Sequence, residues 1–324
     1  MRLVPRRRLV VRGLAILVFA LVAVLLAELV SRMLGLGDPP LSIADSEIEY
    51  LFAPSQTVRR FGNLIHYNPW SMRSDDFPTH KTQAAELRVL VLGDSVVNGG
   101  AQTDQSKLAT AILQKTLADR LGRPVIVGNI SAGSWGPPNM LAYLRRFGLF
   151  DADVVVIVLS SHDYADAPTF EPVVGVNVDF PDRKPWCATW EALTRYLPRY
   201  VPGLRGSSPA DPSSLPPKQK DIDWSLGSIV EIIRLSRQDN ARVLLAQHLE
   251  LTELPPGHPK VGHDAIAQTA RGAGVEPFDL EVAGATPSLY RDHIHPNAAG
   301  QAWIAARLEE AIRVSLQGDA PSPR

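Results

Sequence analysis

The stretch RVLVLGDSVVNGG, residues 88–100, decides the fold. Val89 to Leu92 are apolar with no polar alternation, the pattern of a strand covered on both faces, and Gly93-Asp94-Ser95 then ends the run ahead of an expected helix. Four further runs read the same way: PVIVGNIS (124–131), ADVVVIVLSS (152–161), ARVLLAQH (241–248) and the weaker VEPFDL (275–280). Helical segments lie between them. In SKLATAILQKTLADRLG, Leu108, Ile112, Leu113, Leu117 and Leu121 fall at three-to-four spacing, and Gly122 provides a stop. Strand and helix alternate, so the chain is α/β with a five-stranded parallel sheet. Ligands of such sheets bind beyond the carboxyl ends of the strands, so chemistry is expected just after these runs.

Composition narrows the classes. The 324 residues suffice for one large domain with appendages. Lys+Arg 33 against Asp+Glu 34 leaves a net charge of −1, which gives no global field for nucleic acid. Cys187, the single cysteine, excludes an internal disulfide framework and any cysteine-rich zinc site.

At the N-terminus, MRLVPRRRLVVR carries five arginines and no acid, and GLAILVFALVAVLLAELV follows it directly. The apolar run from Leu9 to Val30 would be about 33 Å long as a helix, roughly the thickness of the bilayer hydrocarbon. We therefore expect a basic cytoplasmic tail over 1–12 and a single transmembrane anchor over 13–35. No small-x-small site follows the apolar core, which favours an uncleaved anchor over a signal peptide. The flanking arginines place the N-terminus in the cytoplasm and the remainder outside a bacterial inner membrane.

Residues 36–87 mix proline, serine and charge with short apolar pieces and read as a stalk with a lead-in strand. The regular domain is expected over 88–316. Within it, ten prolines between Asp166 and Lys220 mark an irregular insertion over 166–220. Its Phe170, Phe180, Trp186, Trp190 and Tyr196 suit either a lip over the site or pins that hold the insertion down. Residues 317–324 read as a disordered tail.

Ser95 leaves a buried strand just ahead of a helix, a geometry that suits a nucleophile. In YRDHIHPNAAGQAW, Asp292 precedes His295 by three residues; a bent loop would let the carboxylate fix Nδ1–H and free Nε2 to take a proton from Ser95. His293 competes for the base role. A metal set built from His162, Asp163, His293 and His295 is the alternative chemistry. Acyl transfer also needs oxyanion donors at neighbouring strand ends. A backbone N–H of Gly133 or Ser134 can supply one after the second run, and Ser160-Ser161-His162-Asp163 ends the third.

These blocks together resemble the SGNH/GDSL hydrolase superfamily. GDSVVNG matches its nucleophile block and NISAGSWG its second; SSHD stands where the third reads Gly-x-Asn-Asp, and DHIH matches the Asp-x-x-His block. YNPWSMRS resembles the strand before the nucleophile block in membrane-anchored bacterial members. The resemblance covers roughly residues 60–316. It implies a flavodoxin-like three-layer α/β/α sandwich and a serine esterase or acyltransferase. Ser95 would be the nucleophile, His295 the base and Asp292 its orienting partner, with the Ser95 N–H and a second-block N–H in the oxyanion hole. The chain departs from the family at Ser160 and His162, which replace glycine and asparagine. An imidazole N–H can donate as an amide does, so His162 is expected to be the side-chain oxyanion donor.

The expected function is hydrolysis or transfer of an acyl, in particular an acetyl, ester of an envelope or exported polysaccharide, with no cofactor, no metal and no nucleic-acid partner. The alternatives are a non-catalytic glycan-binding or assembly protein on the same fold, and a metal-dependent hydrolase.

Overall fold

The computed structural model describes residues 6–201, 216–281 and 284–317. The chain begins with α1 (Arg6–Met33), within which Val10–Met33 is long and apolar enough to cross a membrane and is not buried by the rest of the protein. The helix starts earlier than the expected anchor and takes in Arg6 to Arg8.

Two small antiparallel hairpins follow, β1 (Ser42–Asp45) with β2 (Glu49–Phe52) and β3 (Gln56–Arg60) with β4 (Asn63–Tyr67). Residues 36–87 are therefore not an extended stalk. Ile48, Tyr50, Leu51 and Met72 are buried in the main core, so the folded unit begins well before residue 88. The expected lead-in strand is in fact a turn. Asn68, fully buried, accepts from the N–H groups of Trp70 and Met72, the side-chain mimicry of a turn that asparagine favours.

The central sheet contains β5 (Leu87–Gly93), β6 (Val125–Ser131), β7 (Val154–Ser160), β8 (Arg242–His248) and β9 (Phe278–Asp279), all parallel in the order β6-β5-β7-β8-β9. These are the five runs read from the sequence. Both faces of the strands are used: Leu90, Leu92, Val155, Ile157 and Leu159 enter one core, and Val89, Val91, Val154, Val156 and Val158 enter the other. The absence of alternation follows directly, because a polar residue on either face would be buried without water.

Helices cover both faces. After the one-turn helix α2 (Ser95–Asn98) comes α3 (Ala109–Leu121), which Gly122 ends in the left-handed conformation. Helix α4 (Pro137–Phe147) opens with two prolines, whose fixed φ suits the first turn. The insertion contributes α5 (Ala188–Glu191), a π turn and α6 (Leu197–Tyr200). Then come α7 (Gln219–Gln238), α8 (Val261–Gly272) and α9 (Ala298–Gln317). Helices α3 and α9 line the second core, whereas α4, α7 and α8 close the first, giving a three-layer α/β/α sandwich. The expected disordered tail lies outside the described residues from 318 onward.

The insertion is pinned by its own aromatics and by charge. Phe180 packs edge-on to buried Tyr50 at 4.7 Å, and Tyr196 lies 5.5 Å from Phe61. Arg60 on β3 is buried and pairs with Glu191 of α5 at 2.5 Å. A buried pair of this kind fixes where two segments meet, whatever its net worth in stability.

Candidate active site

Ser95 opens α2 directly beyond β5, at the carboxyl edge of the sheet. Gly93 makes that position reachable: a Cβ there would lie 2.3 Å from the Val97 side chain, so only glycine lets the strand run so close to its own helix. Asp94 caps the turn by accepting from the Val96 N–H at 2.8 Å.

A single helical turn barely holds itself, because only the Ser95 carbonyl finds a partner further along, the Gly99 N–H at 2.9 Å. The carbonyls after it are tied by side chains from elsewhere in the chain. Gln301 of α9 donates to Val96, Asn129 of β6 donates to Val97, and Arg73 donates to Asn98 and Gly100. Arg291 donates to the Gly99 carbonyl at 3.1 Å. Since Arg291 precedes Asp292, one side chain links the serine turn to the histidine loop.

On that loop, His295 Nδ1 faces the two carboxylate oxygens of Asp292 at 3.0 and 2.9 Å, which holds the ring proton on Nδ1. Nε2 is left as acceptor for the Ser95 hydroxyl at 2.9 Å. Asp292 Oδ1 also accepts from the N–H groups of Ile294 and His295, at 3.0 and 2.8 Å. Burial works to raise the Asp292 pKa, but these donors bring it down to about 2. Its carboxylate is therefore ionised throughout the neutral range. Ser95, His295 and Asp292 form one chain of hydrogen bonds. His293 stays outside it; its carbonyl accepts from Leu251.

Beneath the loop, buried His248 at the end of β8 donates through Nδ1 to Glu281 at 2.6 Å and through Nε2 to the Ile294 carbonyl at 2.7 Å. Both nitrogens face acceptors, which requires the imidazolium form. Burial opposes that charge, and Glu281 with the Ile294 carbonyl more than offsets it, raising the pKa.

At the second strand end, Gly133 and Ser134 form the turn between β6 and α4, with Ser134 at φ +60°. The buried Tyr50 hydroxyl donates to the Gly133 carbonyl and so fixes that peptide plane. The Ser134 N–H, anti to the carbonyl across a trans peptide, points away from Tyr50.

His162 follows the end of β7, with its side chain 39 % exposed. Nε2 lies 3.6 Å from Asp94 and 3.7 Å from Asp163, and Nδ1 lies 3.6 Å from Glu250. Burial works to lower its pKa, while Asp163, Asp94 and Glu250 raise it to about 12. Asp163 is itself fully buried and pushed up, so the charge that holds the imidazolium comes chiefly from Asp94 and Glu250. Those two stay below the usual carboxylate range, Glu250 at about 2 through His162 and Lys260. The sequence reading placed His162 at the correct strand end; it did not foresee that carboxylates would face both ring nitrogens.

Asp94, His162 and Asp163 also bring one potential metal-ligand atom each within 4.8 Å of one another. The alternative metal set of His162, Asp163, His293 and His295 does not form among the described residues; both ring nitrogens of His295 are engaged by Ser95 and Asp292.

Sequence reasoning missed Arg73, Asn129, His248, Arg291 and Gln301. His248 alone carried a usable signal, since it ends a sheet strand on the edge where chemistry was expected.

No curated protein matches the chain in sequence. In fold it is similar to TesA, at 22 % identity and a TM-score of 0.43 over 70 % of this chain and 98 % of that one. It is also similar to the psychrotrophic esterase EstA from Pseudoalteromonas sp., at 16 % and 0.42 over 71 % and 99 %. A third similar structure is the acetyl xylan esterase AlAXEase, at 16 % and 0.41 over 70 % and 100 %. The model of the GDSL-like lipase/acylhydrolase family matches residues 91–303, from the strand that carries Ser95 into α9. That span is well over half of the chain, which therefore belongs to the GDSL-like lipase/acylhydrolase family and is an ester hydrolase of that type.

Proposed function

We propose that Ser95 attacks the carbonyl of an acyl ester, acetyl above all, with His295 as general base and Asp292 as its orienting partner. The observation that carries this reading is the unbroken line Ser95 Oγ–His295 Nε2, His295 Nδ1–Asp292. His295 removes the hydroxyl proton as Oγ bonds to carbon, and returns it to the leaving alcohol as the tetrahedral intermediate collapses. Water, or a sugar hydroxyl in the transferase variant of the same chemistry, then attacks the acyl-enzyme. The N–H groups of Ser95 and of Ser134 or Gly133 are the backbone donors for the oxyanion. Of the second pair, Ser134 is favoured by the fixed orientation of its peptide.

The substrate class follows from the N-terminus. The arginine-rich first turns of α1 orient the helix with its basic end in the cytoplasm, which puts the sandwich outside the inner membrane among envelope and exported glycans. A fluorophosphonate probe tests the catalytic reading. It should label the full chain once, at Ser95, and chelators should leave the labelling rate unchanged. Absence of labelling would refute a serine nucleophile, and a chelator-sensitive rate would point to a metal.

His162 is assigned as the side-chain N–H donor to the oxyanion, replacing the amide found in the family pattern. His162→Asn should keep much of the activity, whereas His162→Ala should lose about 10²-fold in kcat. Equal behaviour of the two variants would make His162 a packing residue.

A further inference from the structure

Some of the insertion's aromatics face neither the active site nor the core. Trp186 is 79 % exposed, Trp190 49 % and Tyr200 80 %, and Leu193, Leu197 and Val201 are exposed beside them. This is a group of large apolar side chains on one short segment, 186–201, with the two indoles 6.3 Å apart. Exposed apolar clusters of this kind mark a contact surface.

What covers it is indicated by where the segment is tied. Glu28, within the last two turns of α1, accepts from the N–H groups of Ala188 and Thr189 at 3.1 and 2.9 Å, and from the Thr189 hydroxyl at 2.9 Å. The N-terminus of α5 is thus bound to the emerging end of α1, the one helix among the described residues that is long and apolar enough to cross a membrane. Leu29, Val30 and Met33 of that end are themselves exposed. Arg32, Arg183 and Lys184 stand at the same edge with exposed side chains, held toward Glu28 at 2.7 Å, Asp182 at 3.6 Å and Asp38 at 2.8 Å. Tryptophan and tyrosine with flanking cations is the composition of a membrane–water interface, the indoles lying at the headgroup level and the cations meeting lipid phosphates.

We infer that residues 181–201 dock on the bilayer surface from which α1 emerges, with Trp186, Trp190 and Tyr200 inserted among the lipid headgroups. The inference rests on α1 spanning the membrane. Such a second contact turns a single-helix tether, free to swivel, into a two-point mount that holds the sandwich in one orientation. The amphipathic segment contributes buried apolar area and electrostatic attraction in addition to the anchor.

Full-length protein in lipid nanodiscs with brominated acyl chains tests this through tryptophan emission. Two of the six tryptophans are at issue, so at equal quantum yields about a third of the emission should be quenched relative to unbrominated discs. The quenching should nearly vanish in Trp186→Phe/Trp190→Phe and persist in Trp303→Phe, with ester hydrolysis unchanged in the double variant as a check on folding. Quenching that is absent in the wild-type chain, or undiminished in the double variant, overturns docking while leaving the anchor intact. Recovery of the chain from the aqueous fraction overturns the anchor and docking together. Concentration-dependent dimers without quenching would assign the patch to a second copy instead.

Discussion

Replacing Ser95 with alanine should reduce hydrolysis of an aryl acetate by the full chain in detergent by about 10⁴-fold or more in kcat/KM. The size of the loss reflects the absence of any substitute. The Ser95 hydroxyl is the group that His295 Nε2 meets, at 2.9 Å, and an alanine methyl offers nothing for it to deprotonate. Residual turnover would come only from binding and the backbone oxyanion donors. The fold should be indifferent to the change. Ser95 is half-buried, and α2 is held by Gln301, Asn129, Arg73 and Arg291 through backbone carbonyls that alanine keeps. Thermal unfolding should therefore shift little while activity collapses. Activity within tenfold of the wild type, with unfolding unchanged, would remove Ser95 from the mechanism.

The parts of this molecule that were legible in the sequence are those specified locally. Strands β5 and β7 announce themselves because both faces are buried, so nearly every residue is apolar or small, the exception being Arg88 at the start of β5, which is buried against Glu86. Asp292 and His295 are readable as a pair because four successive residues of one loop contain both partners. The supporting side chains were illegible for the opposite reason. Arg73, Asn129 and Gln301 act on carbonyls 25, 32 and 205 residues away, and no local pattern distinguishes them from surface polar residues. The hairpins over 42–67 were misread as a stalk because their strands are only four or five residues long. A strand that short, with one side against the core, gives too few alternations to register. Tyr50 and Met72 look like scattered apolar residues until the sheet supplies the surface that buries them. His162 lies between these cases: its strand end was readable, but the charges of Asp94 and Glu250 that set its protonation reach it through tertiary contact.

Asp292→Asn should lower kcat by about 10⁴-fold while leaving substrate binding and the loop backbone nearly unchanged. The geometry dictates which way the amide must turn. Asp292 Oδ1 accepts from the Ile294 and His295 N–H groups, so the asparagine oxygen will occupy that position to keep both bonds. The amide NH₂ then takes the Oδ2 position, 2.9 Å from His295 Nδ1. Two donors cannot face each other, so the imidazole must place its proton on Nε2 and present Nδ1 as acceptor. In that tautomer Nε2 has no lone pair for the Ser95 proton, and the base is present but mis-protonated. The wild-type chain provides the pH control. With its carboxyl held at about 2, Asp292 stays ionised at every pH above about 4, so its own titration leaves the activity profile there untouched. The loss in the variant should accordingly be large at both pH 6 and pH 8, and fluorophosphonate labelling of Ser95 should slow in parallel with hydrolysis. A variant that labels at the wild-type rate yet hydrolyses slowly would move the role of Asp292 from activating the serine to deacylation. A loss below tenfold in both would leave Asp292 as a loop cap and nothing more.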